Sequence, residues 1–78
     1  MSDRIKTGLV KLINDIKPGV DYSENIDLFE DLNLDSLDAI NFFFEVEQEF
    51  EITIPDSDID TRKLSNIGNL FNYIDETY

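Results

Sequence analysis

Apolar residues recur at three- and four-residue intervals in three separate stretches of this chain, and that spacing commits it to amphipathic helices. Ile5, Leu9, Leu12, Ile13 and Ile16 form the first set; Ala39, Phe42, Phe43, Val46 and Phe50 the second; Ile67, Leu70, Phe71 and Ile74 the third. The first set predicts a helix over about residues 3–16, capped by Ser2 or Asp3 and ended by Pro18-Gly19. The second predicts one from Asp35 or Ser36 to about Phe50, and the third one over about residues 65–76 with Ser65 as its cap. Pro55 suits the start of a short helix over residues 56–60, where a missing N–H costs nothing. Ile52-Thr53-Ile54 has a local strand pattern, but a lone strand has no partner, so the segment is read as extended loop.

Between the first two helices, residues 17–35 make a connection too long to lie loose inside a small domain. It carries Val20, Tyr22, Ile26, Leu28, Phe29, Leu32 and Leu34, read here as pins that lay it across the helical core. Asn33, between two leucines, suits a left-handed turn, which asparagine tolerates better than most residues.

With 78 residues the chain makes one domain, near the lower limit for a core that is stable alone. It has no cysteine and no histidine, so disulfides, thiolate chemistry and the usual neutral-pH base are excluded, along with the commonest metal ligand. Its net charge is −12, and fourteen of its acids lie between Pro18 and Asp60. All six basic residues lie outside that stretch: Arg4, Lys6, Lys11 and Lys17 before it, Arg62 and Lys63 after it. Such a field repels nucleic acid and anionic membrane and attracts proteins with basic patches, besides keeping a small domain soluble. The N-terminus has no apolar run of signal-peptide type and no stretch approaches the ~20 apolar residues of a membrane span, so a cytoplasmic protein without stable membrane insertion is expected.

The middle helix has more apolar surface than one core stripe needs. Leu37, Ile40 and Phe44 fall on a second arc, with Glu47 between the two arcs and Asp38, Asn41, Glu45 and Gln48 in the remaining sector. Either the long loop covers that arc, or it is an exposed strip for docking a partner, with carboxylates to steer a basic surface onto it.

At the start of this helix the chain reads Asp31-Leu32-Asn33-Leu34-Asp35-Ser36-Leu37-Asp38. The plain reading is a cap at Asp35 or Ser36, with Asp38 complementing the helix dipole. An EF-hand is rejected, because its glycine position holds Ser36 and its bidentate glutamate position holds Phe42. No hydrolase triad can be built around Ser36 without a histidine. A serine at a helix start, ringed by acids and without a base, is poorly equipped to attack and well placed to be modified.

The stretch from Asp31 to Ile40, followed by Glu45-Val-Glu-Gln-Glu-Phe-Glu-Ile-Thr-Ile-Pro-Asp56, resembles the acyl carrier protein family. The resemblance implies an all-α fold: an antiparallel four-helix bundle of three main helices and a short third, one carrier domain over residues 1–78. It implies that Ser36 carries 4′-phosphopantetheine donated by coenzyme A, and that a phosphopantetheinyl transferase recognises Asp35, Leu37 and Asp38. Leu37, Ile40, Phe44 and Glu47 match the surface such proteins offer to acyl-loading, condensing and acyl-processing enzymes. The expected protein is a monomeric carrier that catalyses nothing, holds no metal and delivers acyl thioesters in fatty acid, polyketide or specialised lipid synthesis. The chain departs from the family's usual pattern at Asn33, usually glycine, at Asn41, usually acidic, and at Phe43, Phe44 and Glu45, usually small or aliphatic. Three consecutive phenylalanines imply a changed partner strip and a changed space for the acyl chain, hence a specialised pathway or an atypical acyl group.

Three other readings compete. A peptidyl or D-alanyl carrier would share the fold and load aminoacyl groups through an adenylating enzyme. An unmodified helical adaptor would use the Leu37–Phe44 strip with Ser36 as a mere cap. An acidic calcium buffer would use the carboxylate cluster loosely.

Overall fold

Among the described residues four helices form, three on the periodic stretches and a short one after Pro55: α1 (Ser2–Ile16), α2 (Ser36–Phe50), α3 (Asp56–Thr61) and α4 (Ile67–Thr77). The computed structural model describes residues 2–78, the Ser2 side chain excepted. That side chain, one of the two expected caps of α1, lies outside the described residues. Asp3 is not a cap, since it sits within the first turn of α1. Past Ile16 the chain turns at Gly19, whose φ of 90° is open to glycine, and whose N–H donates to Asn14 Oδ1 at 3.3 Å.

The start of α4 differs from the sequence expectation. The helix begins at Ile67, and its cap is Asn66, whose side chain accepts the Asn69 N–H at 3.0 Å. Ser65 is drawn away because its hydroxyl donates to Asp27 Oδ2 of the long loop at 3.3 Å. A tertiary partner therefore decides between two adjacent residues that are both good caps.

The apolar faces of α1, α2 and α4 meet in one core. Leu9, Phe42, Val46, Ile67, Leu70 and Ile74 have no exposed surface at all. The long loop supplies Ile26, Leu28, Leu32 and Leu34 to the same core. Burying each such side chain contributes roughly 1.5–3 kcal/mol, which offsets the entropy of ordering so long a connection. Val20 and Tyr22 pack on the core edge. Phe29 does not serve as a pin: it is 44% exposed, because the turn that Asp27 organises points it outward. Asp27 Oδ1 accepts the N–H groups of Phe29 and Glu30, at 2.9 and 3.0 Å, in an Asp-centred turn.

The loop is tied to the start of α4 by main-chain bonds. Leu28 N–H donates to Ser65 C=O at 2.9 Å, Ile67 N–H to Ile26 C=O at 2.8 Å, and Gly68 N–H to Glu24 C=O at 3.0 Å. Helix α3 is different in kind, since none of its side chains is buried. It is flanked by the buried Ile54 and Leu64, packs the partly buried Ile59 against the core, and has the Tyr73 hydroxyl donating to Asp58 Oδ2 at 2.9 Å. Ile52-Thr53-Ile54 is extended loop, as expected.

Candidate functional site

Asn33 enters the site in the left-handed conformation, φ 55°, that its side chain tolerates. Leu32 and Leu34 on either side are buried, which fixes the chain as it reaches Asp35. Asp35 is the cap of α2: its backbone is extended and its Oδ1 accepts the Asp38 N–H at 2.8 Å. Ser36 follows as the first helical residue, exposed, with its hydroxyl in no hydrogen bond among the described residues. Since Asp35 does the capping, the Ser36 oxygen is left for other chemistry. The acids before it are also committed, Asp31 Oδ2 accepting the Asp27 N–H at 2.7 Å. They serve as turn and cap acceptors rather than as a converging ligand set.

The two arcs of α2 separate as the helical wheel predicts. Ala39, Phe42, Phe43, Val46 and Phe50 are buried, and the Phe42 and Phe43 rings meet edge-to-face, 6.0 Å between centroids. Leu37, Ile40 and Phe44 are 66, 61 and 57% exposed. The long loop therefore leaves the second arc open, and three large apolar side chains stand in water beside Ser36 along one line of α2.

Glu47, at the strip's edge, has a structural bond that its sequence position did not announce. Its Oε2 accepts the Ile54 N–H at 2.7 Å, holding the loop that leads into α3.

The hydroxyl fits a phosphate ester. It is exposed, without a hydrogen-bond partner among the described residues, and at the positive end of a fifteen-residue helix, where a phosphate's charge is favoured. The sequence matches the protein family described as Phosphopantetheine attachment site over residues 7–74. The acyl carrier protein of Thermotoga maritima is 37% identical over 70 residues, covering 86% of this chain and 84% of that protein. The chain belongs to the acyl carrier protein family. The acyl carrier protein of Campylobacter fetus is 36% identical over 73 residues, covering 94% of this chain and 90% of that protein. That of Campylobacter jejuni strain RM1221 is 48% identical over 48 residues, so the chain spans 60% of that relative's length there. Acyl carrier membership brings a covalently attached 4′-phosphopantetheine prosthetic group. No helix among the described residues is long and apolar enough to cross a membrane.

Proposed function

We propose that residues 1–78 form a single carrier domain that tethers acyl groups through 4′-phosphopantetheine on Ser36 and delivers them to biosynthetic enzymes of fatty acid or related lipid and polyketide synthesis. The observation that carries this is the free, exposed Ser36 hydroxyl at the start of α2, with Asp35 and not Ser36 as the cap. Ser36 Oγ holds the arm as a phosphate ester. When bound, the arm supplies a thiol that carries the acyl group as a thioester. With no base beside Ser36, the chain leaves the chemistry of attachment to a phosphopantetheinyl transferase, which reads Asp35, Leu37 and Asp38. The chain itself catalyses nothing and acts as a monomer in the cytoplasm.

Leu37, Ile40, Phe44 and Glu47 form the docking strip for acyl-loading, condensing and processing enzymes with basic patches. A carrier must dock weakly and often, and a tethered cargo raises its effective concentration at whichever enzyme is engaged. A small apolar strip within an acidic field meets that need by steering basic partners without holding them.

The test is intact-protein mass spectrometry after incubation with coenzyme A and a broad-specificity phosphopantetheinyl transferase, beside Ser36→Ala. One phosphopantetheine increment, absent from the variant, is expected. Ser36→Ala keeps its fold and melts close to the parent, because the cap at Asp35 is untouched. No increment on folded protein would move the exposed strip to an adaptor role and retire the carrier reading.

A further inference from the structure

Two arginines of this chain are held in the same way. Arg4 lies over the Phe50 ring, 5.1 Å from its centroid, and pairs with Glu49 at 3.0 Å. Arg62 lies over the Tyr73 ring, also at 5.1 Å, and pairs with Glu76 at 2.7 Å. In both, a guanidinium lies over an aromatic ring while one of its nitrogens meets a carboxylate oxygen.

A third set of the same parts has no arginine of its own. Between α1 and α2 runs a groove of about 670 Å³ with Phe44 on one wall and Asp15, Glu45 and Gln48 around it. The Phe44 ring is more than half exposed, and Asp15 and Glu45 are exposed and in no ion pair among the described residues. Lys11 is the one cation in the lining and is drawn to Glu49 at 3.8 Å. The groove thus sets an exposed phenyl ring beside two carboxylates that stand in no ion pair among the described residues.

We propose that this groove receives an arginine side chain from a docking enzyme, stacked on Phe44 and paired with Asp15 or Glu45. The proposal rests on the carrier reading for its partner and deepens it. Charge complementarity selects a cation, and the planar aromatic wall selects guanidinium over ammonium, which has no flat face to stack. The groove shares Phe44 with the strip on α2 but adds α1 to the contact surface. A partner gripping both helices is fixed in rotation about the α2 axis, which a strip along one helix leaves loose.

The test uses the unmodified protein, so it reads independently of whether Ser36 accepts an arm. Two-dimensional amide NMR is followed during titration with the blocked peptides acetyl-Gly-Arg-Gly-amide and acetyl-Gly-Lys-Gly-amide at low salt. Shifts concentrated at Asp15, Phe44, Glu45 and Gln48 are expected, with the arginine peptide binding about two- to five-fold more tightly. Phe44→Leu, an exposed change that leaves the core intact, removes that preference. Equal response to both peptides, shifts scattered over all the acids, or an unchanged preference in Phe44→Leu would overturn the proposal.

Discussion

Glu51 follows the last residue of α2 in the left-handed conformation, φ 54°, and its N–H donates to the Glu47 carbonyl. This is the position after a helix that glycine fills at no steric cost, whereas a residue with a Cβ pays about 1–2 kcal/mol there. Glu51→Gly therefore raises stability by about 1 kcal/mol in urea unfolding, after the added flexibility of glycine in the unfolded chain is subtracted. It also removes one charge from an overly acidic molecule, an effect of the same sign. A loss of stability on this change would show that the exposed Glu51 side chain does something the backbone does not require. Asn33 has the same backbone, and there the sequence was readable: an asparagine between two buried leucines has few other reasons to stand where it does.

At the scale of elements, α3 is the helix with no fully buried side chain, held by the partly buried Ile59, the Tyr73–Asp58 hydrogen bond and the Arg62–Glu76 pair next to it. Tyr73→Phe keeps the ring packing and removes the hydroxyl. A hydrogen bond to a charged acceptor is worth roughly 1.5–3 kcal/mol net. The amides of Arg62 and Leu64 therefore exchange with solvent at least about ten-fold faster, while those inside α1 and α2 are unchanged. The same hydroxyl gives the fold an alkaline edge. Burial first, and then the bond to Asp58, push Tyr73 above the ordinary tyrosine value of 10.0, with Arg62 opposing. The folded state thus holds this proton more tightly than the unfolded chain. The stability it confers is complete below pH ~10 and is lost as pH rises through the raised folded value. In melting curves across that range Tyr73→Phe falls less steeply than the parent. The helices themselves were legible because their apolar spacing is regular and Pro55 and Pro18 punctuate them. Two details were not. The cap of α4 was settled between Ser65 and Asn66 by Asp27, thirty-eight residues away from Ser65. The outward turn of Phe29 was settled by an Asp-centred turn that leaves no periodic trace. At the site, the second arc of Leu37, Ile40 and Phe44 follows from the helical wheel, whereas its openness and the choice of Asp35 over Ser36 as cap were decided by the folded chain. The groove against α1 does not, since helix-to-helix placement is not written in either helix alone.

For the molecule as a whole, charge is the dominant strain. Of eighteen acids, only Glu49 and Glu76 stand in ion pairs among the described residues, and the net charge is −12. Moderate salt or divalent cations therefore raise the melting temperature by screening repulsion across a domain not much wider than a few Debye lengths. A melting temperature unmoved or lowered by salt would mean that the acids are already compensated. The bonds joining Ile26 and Leu28 to Ile67 and Ser65 carry a consequence for time rather than for stability. They close a circuit that contains the whole of α2 and α3. Contacts so distant along the chain form only after the intervening segments have been drawn together, whereas the turns within each helix form at once. Loosening this tie between loop and α4 is expected to hasten unfolding more than it slows folding, a split that the two arms of a denaturant chevron would read.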